Sequence, residues 1–226
     1  MKGKKNFYCE LAYVFGILIL AFGNALMERA DFGMSMVVAP AYIIHLKVKE
    51  FLPFFSFGMS GYVFQAALLV ILSIVVRKVR KSFFLSFVTA FIYGFVLDFE
   101  MSIIALLPFD GLVWRIVFFA IGLVLCSSGV ALLFHTYLPP EAYDLFVKEI
   151  SQRFNISISK SKTAYDVASL ALGIALSLSF FGTFVGVKWG TLICTLANGF
   201  LIGRISYILE RRFNFKDLLP LREKIR

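Results

Sequence analysis

Histidine, tryptophan and cysteine are nearly missing from this chain, with 2 His, 2 Trp and 3 Cys in 226 residues. Cys9, Cys126 and Cys194 are scattered, at no spacing that suits a metal site or a disulfide frame. They read as small core residues. No Ser/His/Asp set, His-x-x-x-His pair or phosphate-binding loop is present. Scattered acids do not make a constellation, so no enzyme activity, cofactor or metal is expected. Charge is scarce too, at 16%, against about a quarter in soluble chains. With 60% hydrophobic residues and a mean hydropathy of +0.85, a soluble domain is excluded.

What the chain has instead is long apolar runs. A bilayer core of about 30 Å needs roughly 20 apolar residues per helix. Six runs qualify, near 8–27, 54–76, 83–107, 112–134, 163–184 and 188–208. The first is too long for a signal-peptide core, and no small-x-small cleavage site follows it. The net charge of +9 does not point to nucleic acid, because the basic residues sort by side. Lys2, Lys4, Lys5, the Arg77–Lys81 cluster, Lys148, Arg153, Lys160 and Lys162 flank alternate ends of the runs, as does the C-terminal set from Arg204 to Arg226. The opposite flanks hold only Arg29, Lys47, Lys49, Arg115 and Lys188. By the positive-inside rule this places both termini in the cytoplasm, in an inner membrane. A basic tail over 209–226 then faces anionic lipid head groups.

One stretch occurs twice. Phe15–Lys47 aligns with a second copy from Ile121, with Gly16 on Gly122, Gly23 on Gly129, Ala25 on Ala131 and Leu26 on Leu132. Tyr93–Leu97 (YGFVL) falls on Asn198–Ile202 (NGFLI) at an offset that differs by one residue. Repeat 1 then covers 8–107 and repeat 2 covers 112–208. Three spans per copy is an odd number, so the second copy starts on the opposite side. The expected fold is an all-α integral membrane protein of six transmembrane helices in two inverted-topology three-helix repeats. Each repeat carries a short segment after its first helix, 33–46 and 139–153. The first spans about 22 Å at helical rise, too short to cross. The second begins at Pro139-Pro140-Glu141, a helix start with an acid at the positive end of the dipole. Tyr143, Phe146, Val147, Ile150 and Phe154 form one stripe along it, and Asp144, Lys148 and Ser151 the other. Both segments are re-entrant or interfacial.

Polar residues inside the spans are the candidate lining. Asp98 lies roughly 15 Å from Pro108 if the helix continues to it. An acid at such depth costs about 2.5–3.5 kcal/mol on insertion scales and marks a functional site by default. If the helix ends early, Asp98 and Glu100 sit in the outer head-group layer. The internal placement is the one adopted, with Asp98 as the carrier of a coupling proton. Asn198, Asp144, Asp166, Gln65 and Asn24 complete the candidate solute- or ion-binding set, with Lys162 one helical turn from Asp166. Gly33, Ser35, Pro140, Glu141, Gly190 and Thr191 are the candidate helix-terminus and turn residues. Gly199 and Gly203 in the last span suit close helix packing, within the monomer or in a homodimer.

The order of Gly33-Met34-Ser35, Gly94-x-x-x-Asp98, Pro140 to Asp144, the turn from Gly186 to Thr191, and Gly199 resembles bacterial YczE/YitT-type membrane proteins, nearer the YczE branch. Two departures are Met36, where the pattern has proline, and Trp189 within the glycine-rich turn. The resemblance implies a multi-pass inner-membrane protein and names no substrate. The leading expectation is a secondary transporter or permease for a small polar or charged solute. The alternatives are the substrate-binding subunit of a partner-energised importer and a membrane scaffold without transport.

Overall fold

Apolar runs in lipid must satisfy their backbone polar groups internally, so they form helices. The computed structural model describes residues 4–78, 80–156 and 158–219. In chain order it contains strand β1 (Lys5–Tyr8) and helices α1 (Cys9–Ala30), α2 (Ala39–Lys49), α3 (Phe57–Val76) and α4 (Lys81–Ala105). Helices α5 (Leu112–Phe134), α6 (Ala142–Phe154), α7 (Ile158–Phe181) and α8 (Trp189–Arg212) follow, then strand β2 (Phe213–Lys216). All but α2 and α6 are long and apolar enough to cross a membrane. The protein is thus a multi-pass, all-α architecture of the membrane type. The end of the bundle where α1 begins is called the near end below, and the other the far end.

The helix boundaries follow local chemistry. α5 covers the expected 112–134. α3 starts at Phe57 rather than 54, because the Ser56 hydroxyl accepts the Met59 N–H at 3.0 Å and caps the helix. α1 runs on to Ala30, where Asp31 turns left-handed at φ 53°. α7 begins earlier than 163, inside the polar stretch, and closes before Gly182 at φ 67°.

Residues 209–219 do not form a free tail. α8 continues to Arg212, and β2 then pairs in parallel with β1, Lys5 opposite Phe213 and Tyr8 opposite Lys216. The Glu10 carboxylate accepts the N–H groups of Leu218 and Leu219 and the Tyr137 hydroxyl. The ladder brings the first and last described segments together at the near end. Lys2, Arg222, Lys224 and Arg226 lie outside the described residues.

α1 and α5 cross antiparallel at the centre, where glycine decides the spacing. A Cβ on Gly23 would stand 2.7 Å from the Cys126 nitrogen and 2.8 Å from the Gly122 oxygen. A Cβ on Gly129 would stand 2.7 Å from the Leu20 nitrogen and 2.8 Å from the Gly16 oxygen. Each contact thus repeats with the two helices exchanged. α4 packs on α1, α8 on α5, and α3 on α4. Of the short helices, α2 lies between α3 and α7, and α6 lies against α3, α4 and α7. Outward faces are apolar, with Leu106 and Leu196 each 82% exposed.

Because backbone atoms oppose it, Gly23→Ala or Gly129→Ala should lose about 1–3 kcal/mol of stability, the overpacking range. Gly203→Ala, whose Cβ enters open space, should stay within about 0.5 kcal/mol. Thermal unfolding in detergent measures both.

Candidate functional site

A cavity of about 1240 Å³ lies between α1, α4, α5, α6, α7, α8 and the loop before α2. Arg80, Tyr137, Lys148, Gln152 and Thr163 line it at the near end. Asn24, Tyr93, Cys126, Thr195 and Asn198 line it in the middle of the bundle.

Local hydrogen bonds carry α6 into this space. After α5 the chain turns back inward, and Pro139 and Pro140 leave carbonyls that need donors. The Thr89 hydroxyl donates to Pro139 at 3.1 Å and the Ser86 hydroxyl to Pro140 at 2.7 Å. Gln65, mid-way along α3, then engages the start of α6 twice. Its Nε2 donates to Glu141 Oε2 at 3.0 Å, and its Oε1 accepts the Ala142 N–H at 2.8 Å. At the other end of α6, Arg80 meets both oxygens of Glu149 at 2.8 Å, at the near end of the bundle. α6 therefore runs from mid-bundle to the near end as the outgoing limb of a hairpin, not flat along a surface.

α2 does the converse. The Thr195 hydroxyl, inside α8, donates to Met36 Sδ at 3.5 Å just before α2 begins. The Ser60 hydroxyl donates to the Ala41 carbonyl at 2.6 Å, and His45 Nδ1 stands 2.9 Å from the Phe55 carbonyl. The helix emerges at the Lys47–Glu50 ion pair, at the far end. The two short helices thus enter from opposite ends, and the starts of both border the cavity.

Much of the polar lining is internally paired. Asn24 Nδ2 donates to the Leu20 carbonyl at 3.2 Å and to the Tyr93 hydroxyl at 2.8 Å, tying α1 to α4. The Ser127 hydroxyl donates to Asn198 Oδ1 at 3.0 Å, tying α5 to α8. Lys162 lies 3.6 Å from Asp144 and 3.2 Å from Asp166. Among the described residues, no group of three or more His, Cys, Asp or Glu could hold a metal ion.

The model of a family of unknown function, DUF6198, matches residues 7–207. The chain belongs to this family. No curated protein and no solved structure matches it. The region shared with DUF6198 takes in all of the cavity lining.

Of the residues that the sequence singles out, Asn24, Ser35, Pro140, Glu141, Asp144, Asp166 and Asn198 line the cavity. Gln65 stands behind the wall and holds Glu141. Asp98 lies outside this cavity's lining, at the start of α3. Its carboxylate accepts the Ser56 hydroxyl and, at 2.8 Å, the Gly58 N–H at the positive start of α3. One turn earlier, Gly94 lets the two helices touch, since a Cβ on Gly58 would lie 2.1 Å from the Gly94 oxygen. The Gly94-x-x-x-Asp98 motif therefore joins α3 to α4.

Gly33, Gly190 and Thr191 also stand outside the cavity. They lock two turns together through Met34 N–H to Gly186 O at 2.9 Å and Gly190 N–H to Phe32 O at 2.8 Å. Gly33 has φ 101°, and a Cβ there would lie 2.6 Å from Thr191 Oγ1. Tyr93 is a cavity residue outside the sequence-based set. A signal for it exists, since it heads YGFVL as Asn198 heads NGFLI.

Asp98→Ala should cost about 1–2 kcal/mol, the range for a lost helix cap, in detergent unfolding. It should leave maleimide labelling of a cysteine at position 198 unchanged, measured on a background with the native cysteines replaced by alanine.

Proposed function

We propose that this protein is a secondary transporter for a small polar or charged solute. The observation that carries the reading is the cavity, with a short helix entering from each end of the bundle and both helix starts on its wall. Broken helical segments that present their starts to a mid-membrane site suit a polar solute, because free N–H groups and the dipole stand in for water.

The proposed architecture is a pair of inverted three-helix repeats. Its support is the reciprocal crossing of α1 and α5, in which Gly16 meets Gly129 as its counterpart Gly122 meets Gly23, and Leu20 meets its own counterpart Cys126. A two-fold axis in the membrane plane generates that exchange of partners. The two halves differ in how their last two helices pack. α3 and α4 close on Gly58 and Gly94, whereas α7 and α8 barely touch among the described residues, and Gly199, the counterpart of Gly94, has open space where a Cβ would go. In this reading the cavity communicates with the near end through the parted α7 and α8. The opposite state closes α7 on α8 and parts α3 from α4. The positive-inside bias makes the near end cytoplasmic, in an inner membrane, with basic residues near the chain's end against anionic lipid. Kinship with YczE/YitT-type proteins belongs to the same proposal and rests on the short motifs.

The test has two stages. A metabolite and ion library is screened for thermal stabilisation of the purified protein; a ligand at a hundred times its dissociation constant adds about 2.7 kcal/mol. Stabilising solutes are then assayed for uptake into proteoliposomes. Uptake above that of protein-free vesicles is the expected result. A solute that stabilises but is not moved makes the protein a binding subunit. Silence across the library removes solute handling altogether.

A further inference from the structure

We infer that Glu141 and Asn24 form an acceptor site for a protonated amine at the deep end of the cavity. The inference rests on the reading of that cavity as a solute site. Both residues are almost fully enclosed, Glu141 at 5% exposure and Asn24 at 3%, and both line the cavity. In each, one oxygen receives no hydrogen bond from the protein: Glu141 Oε1 and Asn24 Oδ1. The amide orientation of Asn24 is set by its surroundings, because the Leu20 carbonyl can only accept and so faces the nitrogen. Its oxygen is therefore the free end. The two residues are tied to the same stretch of α4, since Tyr93 bonds Asn24 at 2.8 Å and Thr89, one turn earlier, bonds the Pro139 carbonyl two residues before Glu141 at 3.1 Å.

Both open positions are acceptors, so the complementary group is a donor. The charge points the same way. Among the described residues Glu141 forms no ion pair, and the next acids along the wall, Asp144 and Asp166, share the ammonium of Lys162. Arg80 is engaged by Glu149, and Lys148 is exposed at the near end. Three carboxyl groups against one half-buried ammonium favour a cation. An ammonium with N–H groups supplies both the charge and the two directed hydrogen bonds, and buried acceptors of this kind discriminate strongly against analogues that cannot donate. The aromatic rings of Tyr93 and Tyr143 on the cavity wall suit an apolar or aromatic substituent on the amine.

The test uses three probes with one ring: benzylammonium, benzyltrimethylammonium and benzoate, with sodium chloride as a fourth arm. Binding is read from ligand-dependent thermal stabilisation of the full chain in detergent at fixed pH. The expected result is that benzylammonium binds at least tenfold more tightly than benzyltrimethylammonium, with no effect of benzoate or sodium. Glu141→Gln should weaken benzylammonium binding at least tenfold, while its new amide oxygen keeps the bond from Gln65 and the fold. Asn24→Val is the second variant, with the same expected loss. Equal binding of the quaternary ion, preference for benzoate, a sodium effect lost in Glu141→Gln, unchanged binding in both variants, or no binding of benzylammonium would each overturn the inference. Uptake of some other solute in the proteoliposome assay would, in those cases, leave the transporter reading standing.

Discussion

The rest of the structure depends on the crossing of α1 and α5. Between helices in lipid the hydrophobic effect gives little drive, because lipid tails are as apolar as leucine. Contact must come from van der Waals packing, and that needs small residues. Gly16, Gly23, Gly122 and Gly129 remove the Cβ atoms that would hold these backbones apart. The crossing then offers two outer flanks. α4 takes one and α8 the other, each tied by a polar pair, Asn24 with Tyr93 and Ser127 with Asn198.

The second constraint is the placement of a helix start in mid-bundle. Backbone carbonyls and N–H groups there have no bulk water, and each unsatisfied one costs several kcal/mol. Polar side chains on the neighbouring long helices resolve this for α6. Ser86 and Thr89 serve two proline carbonyls, and Gln65 serves Ala142 and Glu141 together. For α2 the same work is done by Ser60 and by the locked pair of glycine turns around Met34 and Gly186. Polar residues inside these spans are thus mostly scaffolding for the short helices. Glu141 Oε1 and Asn24 Oδ1, on the cavity wall, are among the few buried polar atoms of the described residues left without a hydrogen bond.

How much of this was legible depended on whether a residue's task was local. Span number and approximate length follow from hydropathy, because each crossing helix satisfies its own backbone. The capping role of Asp98 was not legible, since its partners Ser56 and Gly58 lie on another helix, and an acid in an apolar run looks alike whether it caps or lines a path. Tyr93 was concealed by its type, an aromatic in an aromatic-rich helix, although its pairing with Asn198 in the repeat marked the position. The β1–β2 ladder was hidden for a different reason. Four-residue strands at opposite ends of a chain carry too little periodicity to announce a partner so far away in sequence.

The sequence by itself determined the solvent and the division of the chain. Six apolar runs, basic residues sorted to alternate flanks, and two segments too short to cross require a membrane architecture with irregular insertions. It also marked the repeated glycines. Only the tertiary structure decided which glycines face which, that α6 dips inward and does not lie flat, and which polar residues share the cavity. Those outcomes rest on contacts between residues far apart in the chain, and such contacts exist only once the helices have packed.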